Sequence, residues 1–225
     1  MRLTFVMIPV LLAAPLAAQT ETTKRIQAAT ETLQEIMQAS DRAIPQDLLD
    51  SSQCIVVVPG VKKGGFILAA KYGRGFAACR KPDGQGWGAP SAIKVEGGSF
   101  GFQLGVSETD VIMLMMNRRG MERLTSSKFT LGGDASVAAG PVGRETTAQT
   151  DVTMRAEILS WSRSRGVFAG IALNGATLRP DDDAITDLYG SGKQPKDILM
   201  GATPIPALAK PFIDLLTKYS GRASK

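Results

Sequence analysis

Basic side chains stand next to glycines at several points of this sequence, a placement that suits the binding of a phosphate group. Glycine turns join strands at the rim of a sheet, where Arg and Lys side chains can converge and donate paired hydrogen bonds to phosphate oxygens. The alternative is that these residues are solvated turn charges that keep sheet edges from pairing with other chains. The candidate residues are Lys62, Lys63, Lys71, Arg74, Arg118, Arg119, Arg163 and Arg165.

The absence of histidine limits the chemistry that the chain can perform. Histidine is the usual general base near neutral pH and the commonest metal ligand, so Ser-His-Asp, Cys-His and His-metal chemistry are excluded. No spacing places a Ser–Lys or carboxylate pair recognisably together. We therefore expect a protein that is not an enzyme, with no catalytic residue, no metal and no cofactor.

The glycine and aspartate motifs predict local structure rather than ligand sites. YGRG, GGSFG and GSGKQ lack the strand-to-helix context or the spacing of nucleotide-binding loops, and they predict turns. The run from Asp181 to Asp183 lacks the alternating ligands of a calcium loop. Acidic residues are favoured at a helix start, so we expect this run to cap a helix.

The first 18 residues, MRLTFVMIPVLLAAPLAA, have the pattern of a cleavable secretory signal. Arg2 precedes an apolar run that is too short to span a bilayer, and small residues end it. We expect the mature protein to be periplasmic or secreted. Because no cysteine lies near the cleavage site, the sequence does not predict a lipid-modified N-terminus. The rest of the sequence contains no run of 18 consecutive apolar residues, so it predicts no membrane span.

Cys54 and Cys79 are the two cysteines of the chain. An even count in an exported protein favours a disulfide, which would stabilise the fold by roughly 3.5 kcal/mol in the chain-entropy model. Two buried free thiols are the alternative, because two cysteines in a sequence do not fix the geometry that a disulfide needs.

The helix and strand patterns of the sequence predict one α+β domain: a largely antiparallel, multi-stranded sheet flanked by N- and C-terminal helices. These elements would position the candidate residues. Residues 21–40 have an apolar stripe at helical spacing, which predicts a helix that packs over the sheet, with a membrane-surface role as the alternative. A short helical turn follows Pro45. Strand-length runs separated by glycine turns begin at Cys54, and VIMLMM, which shows no alternation, predicts a central strand covered on both faces.

The later segments continue this pattern. RRGMERL predicts a short helix or turn, and RPDDDAITDLYG predicts the opening of a helix. PIPALAKPFIDLLTKYS predicts an amphipathic C-terminal helix with a kink at Pro211. The formal net charge is +5, from 26 Lys and Arg against 21 Asp and Glu, and it falls to +4 when Arg2 is removed with the signal. That small charge and the sparse aromatic residues argue against a nucleic-acid partner.

The order of these motifs resembles the SYLF domain family, in particular its exported bacterial members. The blocks that carry the resemblance are CIVVVPGVKKGGFILAAKYGRGFAACR, GWGAPSAIKVEGGSFGFQLGVSETDVIMLMMNRRGMERL, SKFTLGGDASVAAGPVGRETTAQTD and ILSWSRSRGVFAGIALNGATLRPDDDAITDLYG. We expect residues 19–225 to form a single SYLF-like domain with its core at about residues 30–215.

The resemblance implies lipid binding and, in some eukaryotic members, actin binding, and it supplies no catalytic residues. In an exported protein it implies an anionic phospholipid or membrane surface as the partner, with actin disfavoured by the compartment. The alternative is an envelope scaffold or protein-interaction domain with incidental lipid binding. The GPVGRETTAQTD segment favours that alternative, since long exposed loops often carry recognition.

Overall fold

The computed structural model describes residues 20–39, 44–64, 68–100, 107–141, 155–164, 167–171 and 173–221, so the expected signal peptide lies outside the described residues. The strands are β1 (Cys54–Gly64), β2 (Leu68–Cys79), β3 (Ser91–Phe100), β4 (Ser107–Met115), β5 (Phe129–Thr130), β6 (Val137–Ala139), β7 (Ile158–Ser164), β8 (Val167–Gly170) and β9 (Thr177–Pro180). The helices are α1 (Glu21–Gln38), α2 (Gln46–Ser51), α3 (Arg118–Leu124), α4 (Asp182–Tyr189), α5 (Pro195–Met200) and α6 (Lys210–Tyr219).

The nine strands form one sheet in the order β5-β9-β3-β2-β1-β4-β7-β6, with β8 also paired to β7. Neighbouring strands are antiparallel except β6 and β7, which are parallel. The predicted α+β class with a largely antiparallel sheet is therefore confirmed.

The sheet curls, because a short connection joins its two end strands. β5 ends at Thr130 and β6 begins at Val137, a stretch that can span at most about 25 Å. The seven strand spacings between them would cover about 34 Å in a flat sheet. Curling brings β5 back towards β6, and the N–H of Gly132 donates to the carbonyl of Ala135 at 2.7 Å in the turn between them.

Both faces of the central strands are buried, which explains the unbroken apolar run on β4. Ile112 and Leu114 belong to the apolar cluster that contains the inner side of α1. Met113 and Met115 belong to a second cluster on the other face. The prediction of a central strand covered on both faces is confirmed, since β4 lies between β1 and β7.

Helix α1 packs on the sheet through the apolar stripe that its sequence predicts. The side chain of Thr20 caps its start by accepting a hydrogen bond from the N–H of Thr23 at 3.2 Å. Ile26, Leu33 and Ile36 are at most 2% exposed and share a cluster with side chains of α6. The stripe is therefore part of the core. None of the described helices is both long and apolar enough to cross a bilayer.

Cys54 and Cys79 form a disulfide that joins β1 to β2. The two residues are direct register partners in the antiparallel pair, and both are fully buried. The pairing that the sequence favoured but left open is confirmed, and the register of the hairpin supplies the proximity that the sequence could not.

The C-terminal helix differs from its prediction. A 3₁₀ turn over Ala207–Ala209 precedes α6, and Pro211 stands in the first turn of that helix. The expected kink at Pro211 is wrong, because the first turn of a helix does not need the N–H that proline lacks.

Candidate functional site

A groove of about 560 Å³ runs between α1 and the sheet, beside a bulge in β1. The register of β1 against β2 shifts between Val57 and Lys62. Gly60, inside the bulge, has a φ of +57°, a conformation that glycine adopts without strain. Five basic and five acidic side chains line the groove: Lys24, Arg25, Lys62, Arg74, Arg163, Glu21, Glu31, Glu35, Glu108 and Asp110.

One end of the groove is built around the buried carboxylate of Asp181. Its Oδ2 lies 3.1 Å from Nη1 of Arg25 on α1 and 3.4 Å from Nε of Arg74 on β2. Its Oδ1 lies 3.1 Å from Nζ of Lys94 on β3. The side chain of Asp181 is fully buried, so three cations from three elements offset the cost of removing its charge from water.

This arrangement corrects the capping prediction for Asp181. The residue is the N-cap of α4, but its side chain makes no capping hydrogen bond. Asp182 and Asp183 do lie in the first turn of that helix. The Asp181 carboxylate instead binds cations of α1 and the sheet, contacts between distant segments that local sequence does not reveal.

The other end of the groove is organised by Arg163 on β7. Its Nε and Nη2 donate to Oδ2 of Asp110 at 2.9 and 2.6 Å, and its Nη1 donates to Oε2 of Glu35 on α1. The other carboxylate oxygen of Asp110 accepts from the N–H of Gly60 at 2.9 Å. Arg163 therefore holds α1 against the sheet at Glu35. That residue lies ten residues, or about 15 Å, along the helix from Arg25.

The groove is thus an ion-paired seam between α1 and the sheet. Of the predicted phosphate-binding residues, Arg74 and Arg163 are engaged with carboxylates there. Lys62 lines the same groove and is exposed. Its register partner on β4 is Glu108.

Lys63 and Lys71 lie on the other face of the same strand ends. They are direct register partners on β1 and β2, and like charges opposite each other in a sheet repel. Partial burial, together with the Lys63 ammonium, lowers the pKa of Lys71. The two ammonium groups therefore lie on the same face and close together at this end of the sheet.

Arg118 and Arg119 lie on α3, at the opposite end of the strands. Lys63 pairs with Ser107 at the start of β4, and α3 follows Met115 at its end. From Ser107 to Met115, β4 advances by eight residues, which corresponds to about 26 Å. The structure therefore brings Lys62, Lys63, Lys71, Arg74 and Arg163 to one end of the sheet and separates Arg118 and Arg119 from them; Arg165 lies outside the described residues.

The sequence interpretation missed the cations that do not stand beside a glycine. Arg25 and Lys94 hold Asp181, and their positions on α1 and β3 give no local signal of that contact. Arg123 and Lys128 add to the exposed cations near Arg118. Those two were detectable, since RRGMERLTSSK contains four basic residues against one acidic residue.

The fold and its charged surfaces define an α+β domain with an ion-paired groove along one helix and cationic surfaces at both strand ends. Residues 96–219 match the family model of Ysc84, described as a Las17-binding protein actin regulator. This match covers more than half of the chain, which therefore belongs to the Ysc84 family, whose domain is the SYLF domain. The resemblance in the sequence motifs is confirmed.

Curated relatives give the same result. The chain is 32% identical over 181 residues to human SH3 domain-containing YSC84-like protein 1, covering 80% of this chain and 52% of that protein. It is 33% identical over 181 residues to the rat protein of the same name, covering 80% and 53%. It is 31% identical over 180 residues to Protein YSC84 of Saccharomyces cerevisiae, covering 79% and 38%. The chain thus spans about half or less of the length of these relatives.

Proposed function

We propose that this domain is a non-enzymatic, extracytoplasmic module that binds membranes by recognising anionic phospholipid headgroups. The observation that carries the proposal is the composition of one end of the sheet. Three lysines and an exposed tyrosine lie there on β1 and β2, with Lys62 and Tyr72 on one face and Lys63 and Lys71 on the other. An exposed valine lies at the same end on β8, three strand spacings from β1. We call this the strand-end surface; it consists of Lys62, Lys63, Lys71, Tyr72 and Val167.

The apolar members distinguish this surface from an ordinary charged rim. Tyr72 is 42% exposed and Val167 is 57% exposed, two of the three large hydrophobic residues exposed in the described part of the chain. Tyr72 is the register partner of Lys62, and Val167 on β8 pairs with Ser164 of β7. Aromatic and apolar side chains beside lysines suit the interface of a bilayer, where one end of a side chain is apolar and the other is wet.

The lysines supply the preference for anionic lipid. Each basic residue near an anionic membrane surface contributes about 1 kcal/mol of binding free energy. Three lysines would thus contribute about 3 kcal/mol, enough for moderate and reversible attachment. The repulsion between Lys63 and Lys71 adds specificity for anions, because a phosphate group between them removes an unfavourable term of the free protein.

The ion-paired groove is less suited to a headgroup. Its five cations face five carboxylates, and Arg74 and Arg163 would have to exchange existing partners for a phosphate. Arg163 holds α1 against the sheet through Glu35. Arg74 binds the Asp181 carboxylate, which also binds Arg25 of α1. Headgroup binding by the groove would therefore compete with the packing of α1.

We propose that this activity takes place in the periplasm or outside the cell, because the first 18 residues have the pattern of a secretory signal. The family model describes an actin regulator, and an exported protein would not meet actin. The lipid binding that the sequence resemblance implies does have a partner in that compartment, namely the membrane surface. We propose that the rival role, an envelope scaffold, would use a different surface; the GPVGRETTAQTD segment suggested for it lies largely outside the described residues.

Co-sedimentation of residues 19–225 with vesicles tests the proposal. Binding to phosphatidylglycerol vesicles should exceed binding to phosphatidylcholine vesicles and should weaken as salt rises, since salt screens exposed charges. Equal binding to both vesicle types, or no binding at low salt, would overturn the anionic-headgroup proposal.

Charge reversal tests the surface. The double variant Lys63→Glu and Lys71→Glu should lower the partition coefficient at least about tenfold, given about 1 kcal/mol per basic residue. The matched control is Lys193→Glu with Lys196→Glu, which makes the same change of charge at two exposed residues at and before the start of α5. Equal losses in both variants would show that net charge, and not the strand-end surface, drives binding.

A further inference from the structure

Helix α3 presents three arginines on its solvent side at the end of the sheet opposite the strand-end surface. Arg118, Arg119 and Arg123 are exposed, whereas Leu124 and Gly120 are buried. Arg119 and Arg123 are four residues apart, so their guanidinium groups leave the same face about 6 Å apart along the helix axis.

The segment from Arg118 to Lys128, which begins with α3, carries a largely uncompensated charge. Residues 118–128 hold four basic residues and one acidic residue, a net +3 within a chain of net +5. Glu122 binds Arg118, with its Oε1 3.0 Å from Nε. Within the described part of the chain, Arg119, Arg123 and Lys128 have no ion-pair partner.

The helix is held firmly in place, so these cations have a fixed spacing. Asn117 caps its start by accepting from the N–H of Gly120 at 2.9 Å. A Cβ at Gly120 would lie 3.0 Å from the carbonyl oxygen of Glu157, so the helix approaches the neighbouring backbone closely. Leu124 is inserted into the apolar cluster.

We propose that the outer face of α3 is a docking surface for an acidic protein segment that presents carboxylates about 6 Å apart. Glutamates four residues apart on a helix have that spacing. Guanidinium groups suit carboxylates because they donate two parallel hydrogen bonds. The α3 face, made of Arg119 and Arg123, thus gives the domain a second binding surface.

A protein segment fits this face better than a membrane does. The apolar side chains of α3 that are described, Met121 and Leu124, pack against the core, and the exposed Tyr72 and Val167 lie at the other end of the sheet. If the strand-end surface contacts the bilayer, as proposed above, α3 stands about 26 Å away. That distance exceeds two Debye lengths at physiological salt, so α3 would add little to the same membrane contact.

Fluorescence anisotropy with a labelled alanine-based peptide carrying Glu at every fourth position tests this inference. Residues 19–225 should bind it in a salt-dependent manner, and the counterpart peptide with Gln in place of Glu should bind at least tenfold more weakly. Arg119→Glu with Arg123→Glu should lose binding at least tenfold, whereas Lys193→Glu with Lys196→Glu should bind nearly as the unaltered protein does. The α3 variant should keep its binding to phosphatidylglycerol vesicles.

Three outcomes would overturn the inference. The first is no binding of the glutamate peptide at low salt, and the second is equal loss in the α3 variant and the lysine control. The third is loss of vesicle binding with peptide binding unchanged in the α3 variant, which would make α3 a membrane surface. Because vesicles and peptide are measured separately, failure of the lipid proposal and failure of this inference give different results.

Discussion

Lys63 on β1 and Lys71 on β2 lie directly opposite each other, two like charges in one register pair. Opposed like charges destabilise a sheet, and the lowered pKa of Lys71 reflects its partial burial and the neighbouring ammonium. A pair that costs stability is expected where a ligand uses it.

Replacing one member of the pair should therefore separate stability from binding. Lys71→Gln should raise the free energy of unfolding by about 0.2–1 kcal/mol, the range for cross-strand pairs, and should weaken binding to phosphatidylglycerol vesicles. Urea unfolding and co-sedimentation of the same preparations would measure both. A variant that is less stable than the unaltered protein would contradict the repulsion argument.

The gain in stability should depend on pH. The folded state gives up the Lys71 proton more readily than the unfolded chain, because its pKa is lowered from 10.5. Between the two pKa values the unfolded chain binds more protons, so the stability of the unaltered protein rises with pH there. The advantage of Lys71→Gln should be largest near neutral pH and should shrink towards 10.5, as urea unfolding at several pH values would show. If the stability advantage of Lys71→Gln grew with pH, the result would contradict this prediction.

The disulfide should make a large contribution to stability. Its two cysteines are 25 residues apart in sequence, and closing such a loop restricts the unfolded chain by roughly 3.5 kcal/mol in the chain-entropy model. Cys54→Ala with Cys79→Ala should lower the free energy of unfolding by about that amount, measured in urea against the oxidised protein. A loss below about 1 kcal/mol would mean that the unfolded chain gains little freedom without the bond.

The Asp181 carboxylate should be the most sensitive polar group of the seam between α1 and the sheet. Asp181→Asn leaves Arg25, Arg74 and Lys94 without their shared anion, and breaking a buried ion pair in this way costs about 3–5 kcal/mol. Asp183→Asn is the matched control: its carboxylate is 85% exposed and 3.8 Å from Lys94, so it should change stability by less than about 1 kcal/mol. Thermal or urea unfolding of both variants would decide; similar effects would contradict a special role for Asp181.

Local patterns predicted the elements well, because burial on a helix or strand leaves a periodic signal. The stripe of α1, predicted over residues 21–40, appears as Glu21–Gln38, and the unbroken run on β4 is central in the sheet. Helix α5 was not predicted, since the turn predicted from GSGKQ ends at Gln194. Its signals were Pro195 in the first turn and Asp197, whose carboxylate accepts a hydrogen bond from the N–H of Gln194 at 3.4 Å.

Contacts between distant segments were beyond such reasoning. The pairing of Cys54 with Cys79 depends on the register of a hairpin, and the partners of Asp181 come from α1, β2 and β3. The basic residues beside glycine turns were expected to share one rim. Arg118 stands about 26 Å away because its turn follows the opposite end of β4, and only the strand order shows which turns meet.

The most direct test of the proposed function is to find which end of the sheet touches lipid. Val167→Trp places a reporter on the strand-end surface, and Arg118→Trp places one at the exposed start of α3, beyond the opposite end of β4. Both native tryptophans are buried, at 1% exposure or less, so the signal of the unaltered protein can be subtracted. With phosphatidylglycerol vesicles that contain brominated acyl chains, the tryptophan at position 167 should shift its emission to the blue and be quenched, while the one at position 118 should not. Quenching at position 118 with none at position 167 would contradict the proposal that the strand-end surface binds the membrane.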